Sequence, residues 1–180
     1  ILKASGDVVA YVDASHAVHG KDGRSHTGVY VTLGSGPIFV RSTKQKLTTK
    51  SSTEAELVAL SDALPMILWI REILIELGYM GRDKAVEIME DNMSTIALVK
   101  RGSPGGESTR HINIRYFFIT DRVHNKEIII TYCPTKSQLA DYFTKPLVGA
   151  AHHDMVDLVM NHKEGTKPAT MSESPGVFEE

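Results

Sequence analysis

The hydrophobic period of the chain changes near residue 51, and this change restricts the folds that the sequence can form. Before it, short apolar runs rich in β-branched residues predict strands at 7–14, 29–33 and 38–42, with Gly-rich turns between them. From 51 to 78 the leucines and isoleucines instead recur at helical spacing. We therefore expect three consecutive antiparallel strands followed by one long helix.

The ends of this helix are marked in the sequence. Ser51 and Glu54 form an S-x-x-E capping box, and Gly78 is a residue type that often ends a helix. Pro65 lies inside the helical stretch, where its missing N–H and its ring should kink the helix or split it in two. Trp69 falls within the same stretch, and we expect it to lie in the core.

The second half of the chain mixes strand and helix patterns. Strands are predicted at 85–89 and 127–133, and helices at 94–100, 112–124 and 137–144. The resulting order, β-β-β-α-β-α-α-β-α, is typical of an α/β fold in which helices cover the faces of a mixed sheet.

Length and composition favour one globular domain with a tail. The 180 residues are 42% apolar, which is enough for a real core. We assign residues 1–160 to the domain, 101–109 to a Gly- and Pro-rich loop, and 161–180 to a disordered polar tail or linker. The chain starts without Met, so we expect it to be part of a longer polypeptide.

The charge of the chain is nearly balanced but unevenly distributed. The net charge is −2, whereas a dedicated nucleic-acid binder is usually basic. However, residues 41–50 carry four basic residues and no acid, and residues 100–115 are also mainly basic. These runs are either solvated faces or the walls of a basic groove for nucleic acid, and composition alone does not decide between the two.

Four acids stand in apolar surroundings at predicted strand–helix junctions: Asp13, Glu56, Asp91 and Asp141. Carboxylates avoid such places unless they are paired or bind metal, so together they suggest one divalent-metal site assembled by folding. Taken singly, each has an ordinary alternative. Asp91 could cap the next helix, Asp141 could pair with Lys145 at i+4, and Glu56 could be an exposed helix acid.

Several stretches resemble the ribonuclease H domain at the C-terminal end of copia-type LTR retrotransposon polyproteins. The matching stretches, within residues 8 to 160, are YVDAS, KQKLTTKSSTEAELVAL, EDN, RHINIRYFFITDR and CPTKSQLADYFTKPL. The resemblance implies a ribonuclease H-like α/β fold, in which a five-stranded mixed sheet of three antiparallel and then two parallel strands is flanked by helices.

The resemblance also implies an activity and a site. The implied enzyme is an endoribonuclease that cleaves the RNA strand of RNA–DNA hybrids during reverse transcription, by two-metal-ion hydrolysis. The four acids Asp13, Glu56, Asp91 and Asp141 match the family's catalytic and metal-binding residues. We expect two Mg²⁺ ions, replaceable by Mn²⁺, with Asp13 between them, Glu56 and Asp91 on one ion and Asp141 on the other.

Substrate contacts and partners follow from the same resemblance. The expected partners are an RNA–DNA hybrid and the reverse transcriptase domain of the same polyprotein. No membrane role is expected, because no apolar run approaches the roughly 20 residues that span a bilayer. The lone Cys133 suits a reducing, intracellular setting, and we expect a cytoplasmic virus-like particle or the nucleus. The residues expected to contact the hybrid are Ser15, Ser52, Thr53, Asn92, Lys44, Lys46 and Arg110.

Two other functions remain open at this point. The domain could be catalytically weak, binding hybrid and supporting the polymerase structurally. It could also be a DNA strand-transfer enzyme or junction resolvase. Such sites resemble Asp, Asp, Glu with the Glu on a late helix, whereas this chain has Glu on its first helix and Asp on its last, which disfavours the second alternative.

Overall fold

The computed structural model describes residues 7–34, 36–101 and 110–160. Its elements, in chain order, are β1 (Val8–His19), β2 (Arg24–Leu33), β3 (Pro37–Lys44), α1 (Ser52–Glu76), β4 (Val86–Glu90), α2 (Met93–Arg101), α3 (Arg110–His124), β5 (Ile128–Tyr132), two 3₁₀ turns (Thr135–Ser137 and Leu139–Phe143) and α4 (Gly149–Val159). The predicted tail 161–180 and most of the predicted loop 101–109 lie outside the described residues. None of the described helices is long and apolar enough to cross a membrane.

A five-stranded mixed sheet forms the centre of the domain. Its strand order is β3-β2-β1-β4-β5. The first three strands pair antiparallel, whereas β4 pairs parallel to β1 and β5 pairs parallel to β4. The predicted α/β class and the predicted sheet are therefore confirmed. This order places β1 and β4 side by side in the middle of the sheet, where both of their faces are covered.

The core has two parts that lie on opposite faces of the sheet. Alternate residues of β1 separate them, since Ala10 and Val12 pack with the long helix α1, while Tyr11 packs with the second 3₁₀ turn and α4. The second part contains Met155 and Val159 of α4, a helix that sequence analysis missed. Only these two residues of α4 are buried, which leaves too weak a periodic pattern to predict a helix.

The long helix begins and ends close to the predicted residues. The Ser51 hydroxyl accepts from the Glu54 N–H at 3.2 Å, while the Glu54 carboxylate accepts from the N–H of Lys50 instead of Ser51. Gly78, at φ +74°, follows the helix in the left-handed conformation that favours glycine. The Ser51 half of the predicted capping box is thus present, whereas Glu54 bonds the N–H one residue before Ser51.

The structure corrects two expectations for the long helix. α1 runs unbroken through Pro65, so the helix is not split in two, while a kink at Pro65 stays a prediction. Trp69 has 59% of its surface exposed and does not lie in the core. Pro65 and Trp69 are four residues apart and both exposed, so they share the outer face of α1, opposite to the face that buries Leu64 and Ile67.

Candidate active site

Two neighbouring parallel strands bring Asp13 and Asp91 together. β1 and β4 are in register up to the pair Tyr11 and Met89, and each acid lies two residues beyond that pair. Adjacent parallel strands run side by side in the same direction, so this register alone places Asp13, within β1, beside Asp91, just after β4. Asp13 is 2% exposed, and Asp91 is half-buried and accepts a 2.8 Å hydrogen bond from the Thr135 hydroxyl.

Glu56 reaches the same place from α1. The Ser51 cap fixes where α1 begins, and Glu56 lies five residues further on, on the part of the helix that packs against the sheet. Its neighbours Ala55, Leu57 and Val58 are all buried, and Glu56 itself is only 4% exposed. It is therefore not an exposed helix acid, and its carboxylate is held inside the protein.

Asp141 lies in the second 3₁₀ turn, which Gln138 attaches to the sheet. The fully buried Gln138 side chain donates to the carbonyls of Val12 and Met89, at 3.2 Å each, and so joins β1, β4 and the turn. Gly28 of β2 packs directly beneath the turn, because a Cβ at this position would lie 2.5 Å from a backbone oxygen of the turn. These contacts determine the position of Asp141.

The acids form two groups that share one member. The outer group is Asp13, Asp91 and Asp141, and the inner group is Glu56, Glu90 and Asp91. Within each group the three acids offer one ligand oxygen each, all within 4.8 Å of one another. All four predicted acids thus come together, joined by a fifth, Glu90. The acid common to both groups is Asp91, where the sequence analysis expected Asp13 between the ions.

Burial makes the charged forms of these acids costly. It raises the pKa of Asp13 to about 6, although Lys145 and a hydrogen bond from Thr144 lower this value. It raises the pKa of Glu90 to about 8. The pKa of Glu56 lies well above its ordinary range, first because of burial and then because of the charge of Glu90. The site thus gathers carboxyl groups where water cannot stabilise their charged forms.

The residues present fit a divalent cation. Glu56 Oε2 and Glu90 Oε2 are buried and have no hydrogen-bond partner among the described residues. Buried carboxylate oxygens are costly unless a proton or a cation compensates them, and hard oxygen ligands are those that Mg²⁺ and Mn²⁺ prefer. The cluster can therefore bind a metal ion.

Lys145 lies at the outer group. Its ammonium is 2.6 Å from Asp141 Oδ1 and 3.8 Å from Asp13 Oδ2. The i+4 pair of Lys145 with Asp141, weighed in sequence analysis as an alternative role for Asp141, thus exists alongside the acid cluster. The pKa of Lys145 is raised by the two acids, although burial opposes this. The ammonium therefore stays charged and partly neutralises the outer group.

The sequence is similar to retrotransposon Pol polyproteins. No family model matches the chain. The Pol polyprotein of transposon RE2 from Arabidopsis thaliana is 37% identical over 139 residues, which is 77% of this chain. The Pol polyprotein of transposon TNT 1-94 from Nicotiana tabacum is 32% identical over 135 residues, which is 75% of this chain. The Ty1-NL2 Gag-Pol polyprotein of Saccharomyces cerevisiae is 30% identical over 145 residues, or 81% of the chain. The chain spans only about a tenth of these relatives' length, between 8% and 10%.

The fold is similar to solved ribonuclease H structures. LC11-RNase H1, isolated from compost by a metagenomic approach, superposes with a TM-score of 0.58 at 17% identity, over 77% of this chain and 93% of that one. The foamy viral protease-reverse transcriptase in complex with RNA/DNA hybrid gives 0.54 at 17% identity, over 76% of this chain and 19% of that one. The chain is a ribonuclease H-like domain related to retrotransposon Pol polyproteins. The family resemblance seen in the sequence is thus confirmed, while its copia-type assignment stays a prediction.

Within the ribonuclease H-like domain, the predicted hybrid contacts vary in their surroundings. Asn92 caps α2, because its side-chain oxygen accepts from the N–H groups of Ser94 and Thr95. The capping role that the sequence left open for Asp91 thus belongs to Asn92. Lys44 pairs with Asp22 at 2.7 Å. Of the remaining candidates, Ser15 is buried, Thr53 is half-buried, and Ser52, Lys46 and Arg110 are exposed. Contact of any of these with a hybrid stays a prediction.

Three residues of this ribonuclease H-like site were not predicted from the sequence. Glu90 precedes Asp91 directly, and nothing in the sequence distinguishes which of two adjacent acids turns inward at a strand end. The sequence does not indicate the role of Gln138 either, because that role depends on hydrogen bonds to backbone carbonyls of two distant strands. Thr144, whose hydroxyl donates to Asp13, lies within the CPTKSQLADYFTKPL stretch but 131 positions away from its partner.

Proposed function

We propose that this domain hydrolyses the RNA strand of RNA–DNA hybrids with the help of two divalent cations, Mg²⁺ in the cell and Mn²⁺ as a substitute. The observation that carries the proposal is the meeting of Asp13, Glu56, Asp91 and Asp141 in one buried cluster on a ribonuclease H fold. Further support comes from two solved neighbours of the same fold, LC11-RNase H1 and the foamy viral enzyme, which were determined in complex with RNA/DNA hybrid.

The proposed biological setting follows from the relatives. They are Pol polyproteins, of which this chain spans about a tenth, so its partner would be the reverse transcriptase region of the same polyprotein. Its role would be to remove template RNA during reverse transcription, in the cytoplasmic virus-like particle of the element or in the nucleus.

The residues of the chain prepare the site before any cation arrives. Asp13, Glu56, Asp91 and Asp141 would hold the two cations between them. When bound, the cations would supply an activated water and charge stabilisation at the scissile phosphate. Thr144 and Thr135 donate hydrogen bonds to Asp13 and Asp91, respectively, which orients these carboxylates in advance. Such pre-orientation removes part of the reorganisation that the reaction would otherwise require.

A cleavage assay with an Asp91→Asn variant tests this function. The 180-residue chain is incubated with a labelled RNA–DNA hybrid, a DNA duplex, a branched DNA and single-stranded RNA, each with Mg²⁺ or with EDTA. We expect Mg²⁺-dependent cleavage of the hybrid alone, and a fall of at least about 10³-fold in Asp91→Asn, because a carboxylate ligand of the site is lost. Asp154→Asn, an exposed acid of α4, is the matched control and should cut like the wild type.

Other results would select the alternatives. Tight hybrid binding without cleavage would refute the proposal in favour of a catalytically weak domain that supports the polymerase. Cutting of branched DNA would indicate a resolvase. Full activity of Asp91→Asn would show that this acid cluster is not the reacting site.

A further inference from the structure

The inner group contains an acid that the proposed reaction has not yet used. Glu90 ends β4 and has no exposed surface. Its Oε1 accepts from the Asn92 N–H at 3.0 Å, while its Oε2 has no partner within the described ranges. Glu56 Oε2, in the same group, is buried and unpartnered too. Two carboxylates thus have one free oxygen each in the same interior space.

The surroundings offer these oxygens no positive side chain. Within residues 7–34, 36–101 and 110–160, the ion pairs of the site involve only Lys145, with Asp13 and Asp141 of the outer group. Neither Glu56 nor Glu90 forms an ion pair there. A buried, unpaired carboxylate costs several kcal/mol. The inner group is therefore complete only with a shared proton or a cation.

The geometry favours the cation. A shared proton bonds two oxygens, yet here three acids converge, with ligand oxygens of Glu56, Glu90 and Asp91 all within 4.8 Å of one another. A divalent cation takes several oxygen ligands at roughly 2.0–2.6 Å, so it can draw three carboxylates around one point. Asp91 also belongs to the outer group, which connects this point to the proposed reacting site.

We propose that Glu90 is a fifth carboxylate ligand, which forms with Glu56 and Asp91 an inner subsite for a hard divalent cation. The inference rests on the proposed function and deepens it, since it adds a ligand to the acids that would hold the cations. Glu90 is then a metal ligand that matches none of the four acids expected from the sequence, and the inner cation would have three carboxylate ligands.

Calorimetry on metal binding tests the subsite without relying on activity. The 180-residue chain is titrated with MnCl₂ as wild type, as Glu90→Gln and as Glu87→Gln. Glu87 lies three residues earlier on β4 and belongs to neither group, so it controls for the loss of one negative charge. We expect Glu90→Gln to bind one Mn²⁺ fewer, or to bind one Mn²⁺ at least about ten-fold more weakly, while Glu87→Gln binds like the wild type.

Thermal melting provides a second readout of opposite sign. In EDTA at pH 8.5, where the Glu90 carboxyl is ionised, Glu90→Gln should melt at a higher temperature than the wild type, because a buried charge is removed. In MnCl₂ its gain in melting temperature should be smaller, because a ligand is lost. Should Glu90→Gln fail to fold, Glu90→Asp keeps the carboxylate but shortens its reach, and it should bind Mn²⁺ with intermediate affinity.

The outcomes separate this inference from the proposed function. Equal Mn²⁺ affinity and stoichiometry in Glu90→Gln and Glu87→Gln would overturn the subsite and indicate a shared proton, whether or not hybrid is cut. Mn²⁺ binding that depends on Glu90, in a wild type that cuts no hybrid, would keep the subsite and refute the nuclease. A wild type that binds no Mn²⁺ would refute both.

Discussion

The buried acids should make the metal-free protein less stable as the pH rises. Asp13 has its pKa raised from 3.8 to about 6, and Glu90 from 4.5 to about 8. Between those values the folded state binds protons that the unfolded state has already released. Since stability rises with pH only where the unfolded state binds more protons, it must here fall with pH. The contribution is fully present below about pH 4 and is lost progressively up to about pH 8.

The size of this loss follows from the two pKa changes. A rise from 3.8 to about 6 corresponds to about 3 kcal/mol for Asp13, and a rise from 4.5 to about 8 to about 5 kcal/mol for Glu90. The two carboxyls lie in one cluster and influence each other, so the values do not add. We expect a loss of about 3–5 kcal/mol between pH 5 and pH 8.5, which is large beside the roughly 5–15 kcal/mol of a whole domain.

Urea unfolding in EDTA at pH 5, 6, 7 and 8.5 measures this effect. The free energy of unfolding should fall across the series, and Glu90→Gln should show a smaller fall because one of the buried carboxyls no longer titrates. Saturating Mg²⁺ should restore stability most strongly at pH 8.5, where the ligands are deprotonated. A metal-free stability that is constant or increases over this range, or an unchanged slope in Glu90→Gln, would refute the reasoning.

Two further substitutions test the outer group and its support. Lys145→Met removes the ammonium beside Asp141 and should tighten Mn²⁺ binding by about two- to five-fold in calorimetry, since the competing ion pair is worth up to about 1 kcal/mol. Lys136→Met, at an exposed lysine in the preceding 3₁₀ turn, is the control. Equal effects of the two substitutions would contradict the idea that Lys145 competes with the cation for Asp141. Gly28→Ala should lower the free energy of unfolding by about 1–3 kcal/mol, because its Cβ would push away the second 3₁₀ turn. Since that turn carries Asp141, the substitution should also slow hybrid cleavage. Gly20→Ala, which meets nothing within 4 Å, is its control, and equal stability of the two variants would show that the turn yields freely.

Most of the fold could be predicted because its elements have clear periods. The strands and α1 were placed from alternation, helical spacing and the Ser51 cap, each a local signal. The segment predicted as a helix at 137–144 forms 3₁₀ turns instead, since its position depends on Gln138 binding the carbonyls of two strands. The exposure of Trp69 was likewise not predictable from spacing, because α1 covers the sheet with one face only.

The site was predictable as far as its acids stand out from apolar neighbours. Asp13, Glu56 and Asp141 do so, and the structure buries all three. Glu90 was not predicted as part of the site, because it directly precedes Asp91 and the sequence does not show which of the two acids turns inward. That Asp91 belongs to both acid groups could not be predicted either. The position of each carboxylate within the cluster depends on the three-dimensional spacing of β1, β4 and α1. That spacing cannot be read from the order of residues along the chain.

Anomalous diffraction from crystals grown with MnCl₂ tests the central claim most directly. We expect one Mn²⁺ peak within about 2.0–2.6 Å of carboxylate oxygens of Asp13, Asp91 and Asp141, and a second beside Glu56, Glu90 and Asp91. Ordered crystals in which Mn²⁺ binds only elsewhere, with these carboxylates free of any cation, would contradict the account.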